Sequence, residues 1–435
     1  MKCDRCGLQS DVEQAFSTEK RLFRKSKHFC PDCTVRRQTR SFIWDAAILA
    51  GLGVLIFALS PSSGLAAIIL AANLILLSMI PLVIIHELAH AGAAKLAGMH
   101  VFGIVVGIGK TIWSGKFLGM DWVINILPIA GITGVGVRPV PHVRWKLFFV
   151  YLAGPASHVL MALGLTVLWV VLWLTLPLST LGHRFFSSLI IANILLAAVS
   201  LFPYKAFTVA GMQGSDGWQL LHVPFLKDSE LTKRYVGYYV GEAAQSYAAN
   251  DFDKAKKWVD KALTVDASSG IARNVLGMIQ MACGEHLISR ETFLRLLETE
   301  EAKEPALHYT LFNNVAYLDA LLHDPSLLSE ADQLSAEALK HLPWVPAVVG
   351  TRGTVLVELG QLDEGIALLK KSMSLHADKQ GKAANACHVA IGELRRGDPD
   401  AARKYLASAK ALDPKCLLIP DVEAQMETKT IDHGR

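Results

Sequence analysis

The chain has 435 residues, of which 52% are hydrophobic and only 19% charged. That is too apolar for an ordinary soluble protein, so part of it belongs in a membrane. Its formal net charge of +4 is small for the length and gives no reason to invoke nucleic acid. The apolar excess is concentrated in residues 41–203. On this basis the chain divides into a basic cytosolic segment (1–40), a membrane-embedded domain (41–224), a helical repeat domain (225–420) and a flexible tail (421–435).

At the amino terminus, "CDRC" (3–6) and "CPDC" (30–33) set Cys3, Cys6, Cys30 and Cys33 in two C-x-x-C pairs. That spacing is close to a zinc ribbon and points to a structural Zn²⁺. Disulfides are disfavoured if the segment faces a reducing compartment. Its basic residues, placed beside an apolar run, suit anionic lipid better than nucleic acid.

Four apolar runs follow, at residues 42–59, 65–96, 147–176 and 185–202; a helix needs about 20 residues to cross a bilayer. Cationic residues precede the first run and surround the connection between the second and third, at Lys110, Lys116, Arg138, Arg144 and Lys146. The positive-inside rule therefore puts both termini and that connection on the cytoplasmic side. The first run starts too far into the chain for a cleavable signal and is followed directly by another span.

The second run ends in "IPLVIIHELAHAGAAKLAG" (80–98), which carries two histidines and a glutamate where hydrocarbon makes such groups costly. On a helix His86 and His90 lie one turn apart on one face. H-E-x-x-H of this kind presents two imidazoles to a zinc ion, with Glu87 beside them as general base. A zinc centre wants a third protein ligand. The candidates are Asp45, His100, Asp121, His142, His158, His183 and Asp216, and periodicity does not choose among them.

Four further stretches join the motif in order. "FGIVVGIGK" (102–110) and "ILPIAGITG" (126–134) read as glycine-rich strands, "LAGPASH" (152–158) lies in the third run, and "SLFPYKAFTVAGMQGSDG" (200–217) follows the fourth. With the H-E-x-x-H, residues 65–220 resemble the site-2 protease family of intramembrane zinc metalloproteases. The resemblance implies Asp216 as the third zinc ligand, and substrate binding at Gly103, Gly107 and Gly109, where a strand edge receives an unwound transmembrane segment. It also implies regulated cleavage of membrane-tethered proteins in a bacterial or archaeal cell membrane. Ser200 and His158 depart from the family's usual Asn, and the stretch between Pro203 and Asp216 is longer than the common form.

Beyond residue 228 the sequence repeats. Windows 251–263, 286–298, 327–339, 361–373 and 398–410 align on Ala255, Ser289, Ala331, Gly365 and Ala402, with steps near the 34 residues of a tetratricopeptide repeat. Gly353, Gly360, Ala390 and Gly397 fall at small positions of the first helices. Stacked pairs of this type build a surface suited to a protein or peptide partner. Cys283, Cys387 and Cys416 show no ligand spacing and are expected to pack as small apolar residues.

The fold class expected is mainly α: a polytopic helical bundle with short membrane-associated strands, followed by a tetratricopeptide-like array. The function expected is an intramembrane zinc metalloprotease with a second, structural zinc. A zinc transporter needs neither Glu87 nor the glycine-rich strands, and a catalytically silent scaffold would have lost one of His86, Glu87, His90 or Asp216.

Overall fold

The computed structural model describes residues 64–208, 211–376 and 378–432, together with 4, 17–21, 24–29, 44, 48 and 51. Cys3, Cys6, Cys30, Cys33, the body of the first apolar run and Asp45 lie outside the described residues. Between the two C-x-x-C pairs along the chain, β1 (Ser17–Arg21) and β2 (Arg24–Phe29) form an antiparallel hairpin.

Among the described residues three helices are long and apolar enough to cross a membrane. They are α1 (Gly64–Leu96), α2 (Val143–Thr175) and α3 (Thr180–Leu201). Each starts close to its apolar run, but α3 begins earlier than hydropathy suggests. Ser179 caps it by accepting from the Gly182 amide, and capping rather than apolarity decides where the first turn forms. Leu160, Val167 and Leu174 of α2 are exposed, as suits helices whose outer faces meet lipid.

Between α1 and α2 lie β3 (His100–Phe117) and β4 (Met120–Gly136), longer than the short strands expected. Residues 103–106 stand opposite 131–134 and also opposite 121–124, while 113–117 stand opposite 120–124. The bend that allows this falls at Gly107 and Gly109, both with positive φ (84° and 93°), a region glycine enters at no steric cost. The open strand edge expected at Gly103 is therefore not there: both its edges are taken, and a Cβ on it would press on the Asp121 carbonyl. Gly107 and Gly109 shape the sheet.

After α3 the chain forms a second small hairpin, β5 (Lys205–Thr208) with β6 (Gly211–Gly214), and then α4 (Asp216–His222). This hairpin is the extra length between Pro203 and Asp216. A cluster of buried Val83, Ala91, Ile104, Val106, Leu147, Val150, Val223 and Leu226 ties the sheet, α1, α2 and the segment after α4 together.

The repeats are ten helices in five pairs: α5 (Asp228–Ala248) with α6 (Phe252–Val265), α7 (Gly270–Ala282) with α8 (His286–Leu297), α9 (Pro305–Leu321) with α10 (Leu328–His341), α11 (Pro346–Glu358) with α12 (Leu362–Leu375), and α13 (Lys379–Arg396) with α14 (Pro399–Leu412). Ala255, Ser289, Ala331, Gly365 and Ala402 are all buried, each on the second helix of its pair. They are small because the first helix crosses there: a Cβ on Gly365 would come within 2.8 Å of the Gly353 carbonyl. Gly360 and Gly397 instead end first helices with φ of 79° and 89°, the left-handed cap that favours glycine. Full burial of side chains such as Phe293, Leu311 and Leu369 contributes roughly 1.5–3 kcal/mol each.

Two differences from the sequence expectation stand out. The tail expected from residue 421 is helical to Asp432 as α15 (Ile419–Asp432), because Ile419, Val422 and Met426 share a helical face that the last repeat buries. The chain's compact units are Asp32–Gly241 and Met1–Pro31 with Glu242–Arg435, so the division falls within α5 rather than before it.

Candidate metal centre

α1 ends the apolar part of its course with His86, Glu87 and His90 almost fully enclosed: Glu87 and His90 are only 4% and 6% exposed. The i, i+4 spacing turns both imidazoles the same way, with Nε2 atoms 3.1 Å apart. His90 Nδ1 lies 2.7 Å from the backbone carbonyl of Val150 on α2. Donation from Nδ1–H to that oxygen leaves Nε2 with a free lone pair, the tautomer a metal ligand requires.

Asp216 reaches the same point from α4. Its Oδ2 is 3.0 Å from His86 Nε2 and its Oδ1 3.3 Å from His90 Nε2. Local chemistry explains the placement. The Ser215 hydroxyl donates to the Phe202 carbonyl at 2.7 Å and accepts from the Trp218 amide, pinning the start of α4 to the end of α3. Gly217 then lies so close to the Leu201 carbonyl that a Cβ there would collide with it. The Asp-Gly pair thus combines a carboxylate donor with the only residue type that lets its helix approach. Burial alone would raise the Asp216 carboxyl, but hydrogen bonds with His86 and His90 hold it below the usual carboxylate range.

His86, His90 and Asp216 are the one group of three or more His, Cys, Asp or Glu among the described residues whose donor atoms converge, within 4.8 Å of one another. Separations of 3.0–3.3 Å approach the tetrahedral edge of about 3.3 Å that follows from zinc bonds of about 2.0–2.1 Å. Space is kept for an ion as well: a Cβ on Gly154 of α2 would press directly on both Nε2 atoms. The donor set and this cradle fit a zinc ion.

The other ligand candidates do not join the group. His158 is buried beside His86, ring centroids 5.1 Å apart, but its Nδ1 pairs with Asn193 Oδ1 at 3.0 Å. His183 accepts from Trp169 Nε1, His142 stands at the N-cap position of α2 without a side-chain capping bond, Asp121 pairs with Lys116, and His100 packs on Phe102.

Sequence reasoning assigned no role to two residues of β4. The Thr133 hydroxyl is 2.7 Å from Glu87 Oε2 and 3.0 Å from the Glu87 carbonyl. Gly131 lies flat on the same carboxylate, with no room for a Cβ. Both belong to the quoted "ILPIAGITG", but nothing in one sequence says which side chain that stretch faces. Asn193, which sets the ring of His158, was likewise invisible.

The sequence profile of peptidase family M50 matches residues 74–329. No curated protein matches the chain. Among solved structures it is similar to a tetratricopeptide-repeat (TPR) protein of Thermus thermophilus, with 20% identity, 45% of this chain and 99% of that one covered, and a TM-score of 0.36. It is also similar to MamA of Desulfovibrio magneticus, with 12% identity, 41% and 95% covered and a TM-score of 0.30. A third is YrrB, described as a TPR protein with an unusual peptide-binding site, with 18% identity, 43% and 91% covered and a TM-score of 0.26.

Proposed function

The chain belongs to peptidase family M50, the site-2 protease family, and we propose that it is an intramembrane zinc metalloprotease cleaving transmembrane segments of membrane-tethered proteins. The observation that carries this is the convergence of His86, His90 and Asp216 at one buried point, with Glu87 one residue along the same helix. When bound there, zinc supplies Lewis-acid polarisation of the scissile carbonyl and acidifies a water.

The chain's own residues do the rest. His86, His90 and Asp216 would hold the ion, and the Val150 carbonyl orients the His90 ring. Glu87 takes a proton from the attacking water and returns it to the leaving amide nitrogen, so that its carboxylate is restored at the end of the cycle. Thr133 and Gly131 hold that carboxylate in place. The substrate, locally unwound, pairs along residues 131–134 of β4, a stretch supported as the docking strand by its position against Glu87. The enclosing helices keep bulk water away from a reaction that must admit only one molecule of it.

The repeat array would hold a protein or peptide partner, and the amino-terminal cysteines a structural zinc. Both soluble parts would lie on the cytoplasmic face of a cell membrane, as the distribution of positive charge suggests. The test is zinc analysis of detergent-purified protein, wild type beside His86→Ala and Cys3→Ala. Two ions per chain are expected, each variant losing a different one. Glu87→Gln is then expected to keep its zinc and lose cleavage of a membrane substrate by about 10²–10⁴-fold. Retention of both ions by His86→Ala would overturn the protease and leave a membrane scaffold that binds partners through its repeats.

A further inference from the structure

Of the cysteines described, two are brought together by the fold although 29 residues separate them in sequence. Cys387 lies on α13, completely buried, and Cys416 sits half-buried in the turn between α14 and α15, with their Sγ atoms 4.0 Å apart. Both belong to the cluster formed by α13, α14 and α15, where Cys387 shares one core with Ile419 and Val422 on the last helix's inner face. Cys283, by contrast, is exposed, which corrects the expectation that all three cysteines pack as core residues.

A disulfide requires the two sulfurs to close to about 2.05 Å, and here they already lie in contact, 4.0 Å apart. Among the described residues no third ligand completes a metal site around them. We infer that Cys387 and Cys416 are a reversible oxidation site: a hydroperoxide converts the two thiols to a disulfide that fastens the turn before α15 to α13.

The chemistry balances with one equivalent of peroxide. The Cys416 thiolate attacks a peroxide oxygen, the O–O bond breaks, and Cys416 becomes a sulfenic acid while hydroxide leaves. The Cys387 sulfur then attacks the sulfenic sulfur, forming the S–S bond and expelling the second oxygen as water once the Cys387 proton is transferred. Two thiols are oxidised by two electrons and one peroxide is reduced. Cys416 suits the first role. It is the more accessible of the two, and the Cys387 thiol beside it, helped by the Leu418 and Ile419 amides, holds it below the ordinary thiol range, whereas Cys387 is raised. A thiol reductant reverses the bond.

The experiment treats the full-length chain in detergent with hydrogen peroxide and maps its peptides by mass spectrometry without reduction. The expected result is a Cys387–Cys416 cross-linked peptide, about 2 Da lighter than the reduced pair, formed before Cys283 oxidises and abolished by dithiothreitol. Oxidation should also raise the melting temperature of the repeat array reversibly. In Cys387→Ala, Cys416 should instead be trapped by dimedone as a sulfenic acid; Cys387→Ser serves if that variant folds poorly. Both thiols remaining alkylatable at peroxide levels that oxidise Cys283, or Cys416 cross-linking to Cys283 instead, would overturn the inference.

Discussion

The membrane unit and the repeat array both depend on glycine at close approaches, yet for different ends. In the array Gly353 and Gly365 face each other's backbone, and what they permit is the tight crossing of two helices. In the membrane unit Gly131 faces the Glu87 carboxylate and Gly154 the two imidazoles, and what they permit is an uncrowded site for chemistry. A glycine is informative about function when the atom it makes room for can ionise or bind a metal. When it makes room for a carbonyl or an alkyl group, it speaks of packing.

The sharpest way to break this comparison is Gly154→Ala. Its Cβ would press on the Nε2 atoms of His86 and His90, so we expect loss of one zinc per chain, the one proposed for the His86–His90–Asp216 centre, read by metal analysis, while the purified protein keeps its helical circular dichroism. A variant that still bound one zinc at that centre would show that Gly154 is a packing residue like the others.

Next in size is a pH effect confined to the array. His388 is buried on α13 and accepts from the Tyr317 hydroxyl through Nε2 at 3.0 Å; burial lowers its pKa to about 4. The unfolded chain binds this proton first, near pH 6.5, so the stability due to neutral His388 is full above that pH and is lost as pH falls towards 4. The loss is on the order of 3 kcal/mol. His323, raised by its hydrogen bond to Glu358, works in the opposite sense and offsets part of it. Denaturant melts of the wild type between pH 7 and pH 4 should show the decline, and His388→Gln should flatten it.

Gly365→Ala should cost about 1–3 kcal/mol of array stability by overpacking, measured as a lower melting temperature, with zinc content unchanged. The smallest effect expected is on positioning. Thr133→Val keeps the shape but removes the hydroxyl from Glu87; outer partners of this kind are worth roughly 10–100-fold. Cleavage should fall by that factor with zinc retained, and Thr133→Ser should restore it. Unchanged cleavage in Thr133→Val would mean that Gly131 and the helix alone fix the carboxylate.

Much of this was written in the sequence. His86, Glu87 and His90 are legible because a helix places i and i+4 on one face, and ionisable groups in an apolar run need a reason to be there. The repeats are legible because each pair must bury a small residue where its helices cross, which leaves Ala255, Ser289, Ala331, Gly365 and Ala402 at intervals of 34 to 42 residues. Asp216 was reachable only through resemblance, since 126 residues separate it from His90 and no local period links them.

What the tertiary structure alone decided are contacts between segments far apart in sequence. The fold of β3 and β4 covers Gly103 on both edges and brings Thr133 to Glu87. The hairpin after α3 returns Asp216 to α1 through the Gly217–Leu201 approach. Cys387 meets Cys416 only because α14 doubles back on α13. A sequence records what each residue can do over the few neighbours that a helix or strand repeat fixes. Which distant group it will face depends on how chain segments pack, and in this protein that packing brought Asp216 to the two histidines, Thr133 to the Glu87 carboxylate and the two thiols together.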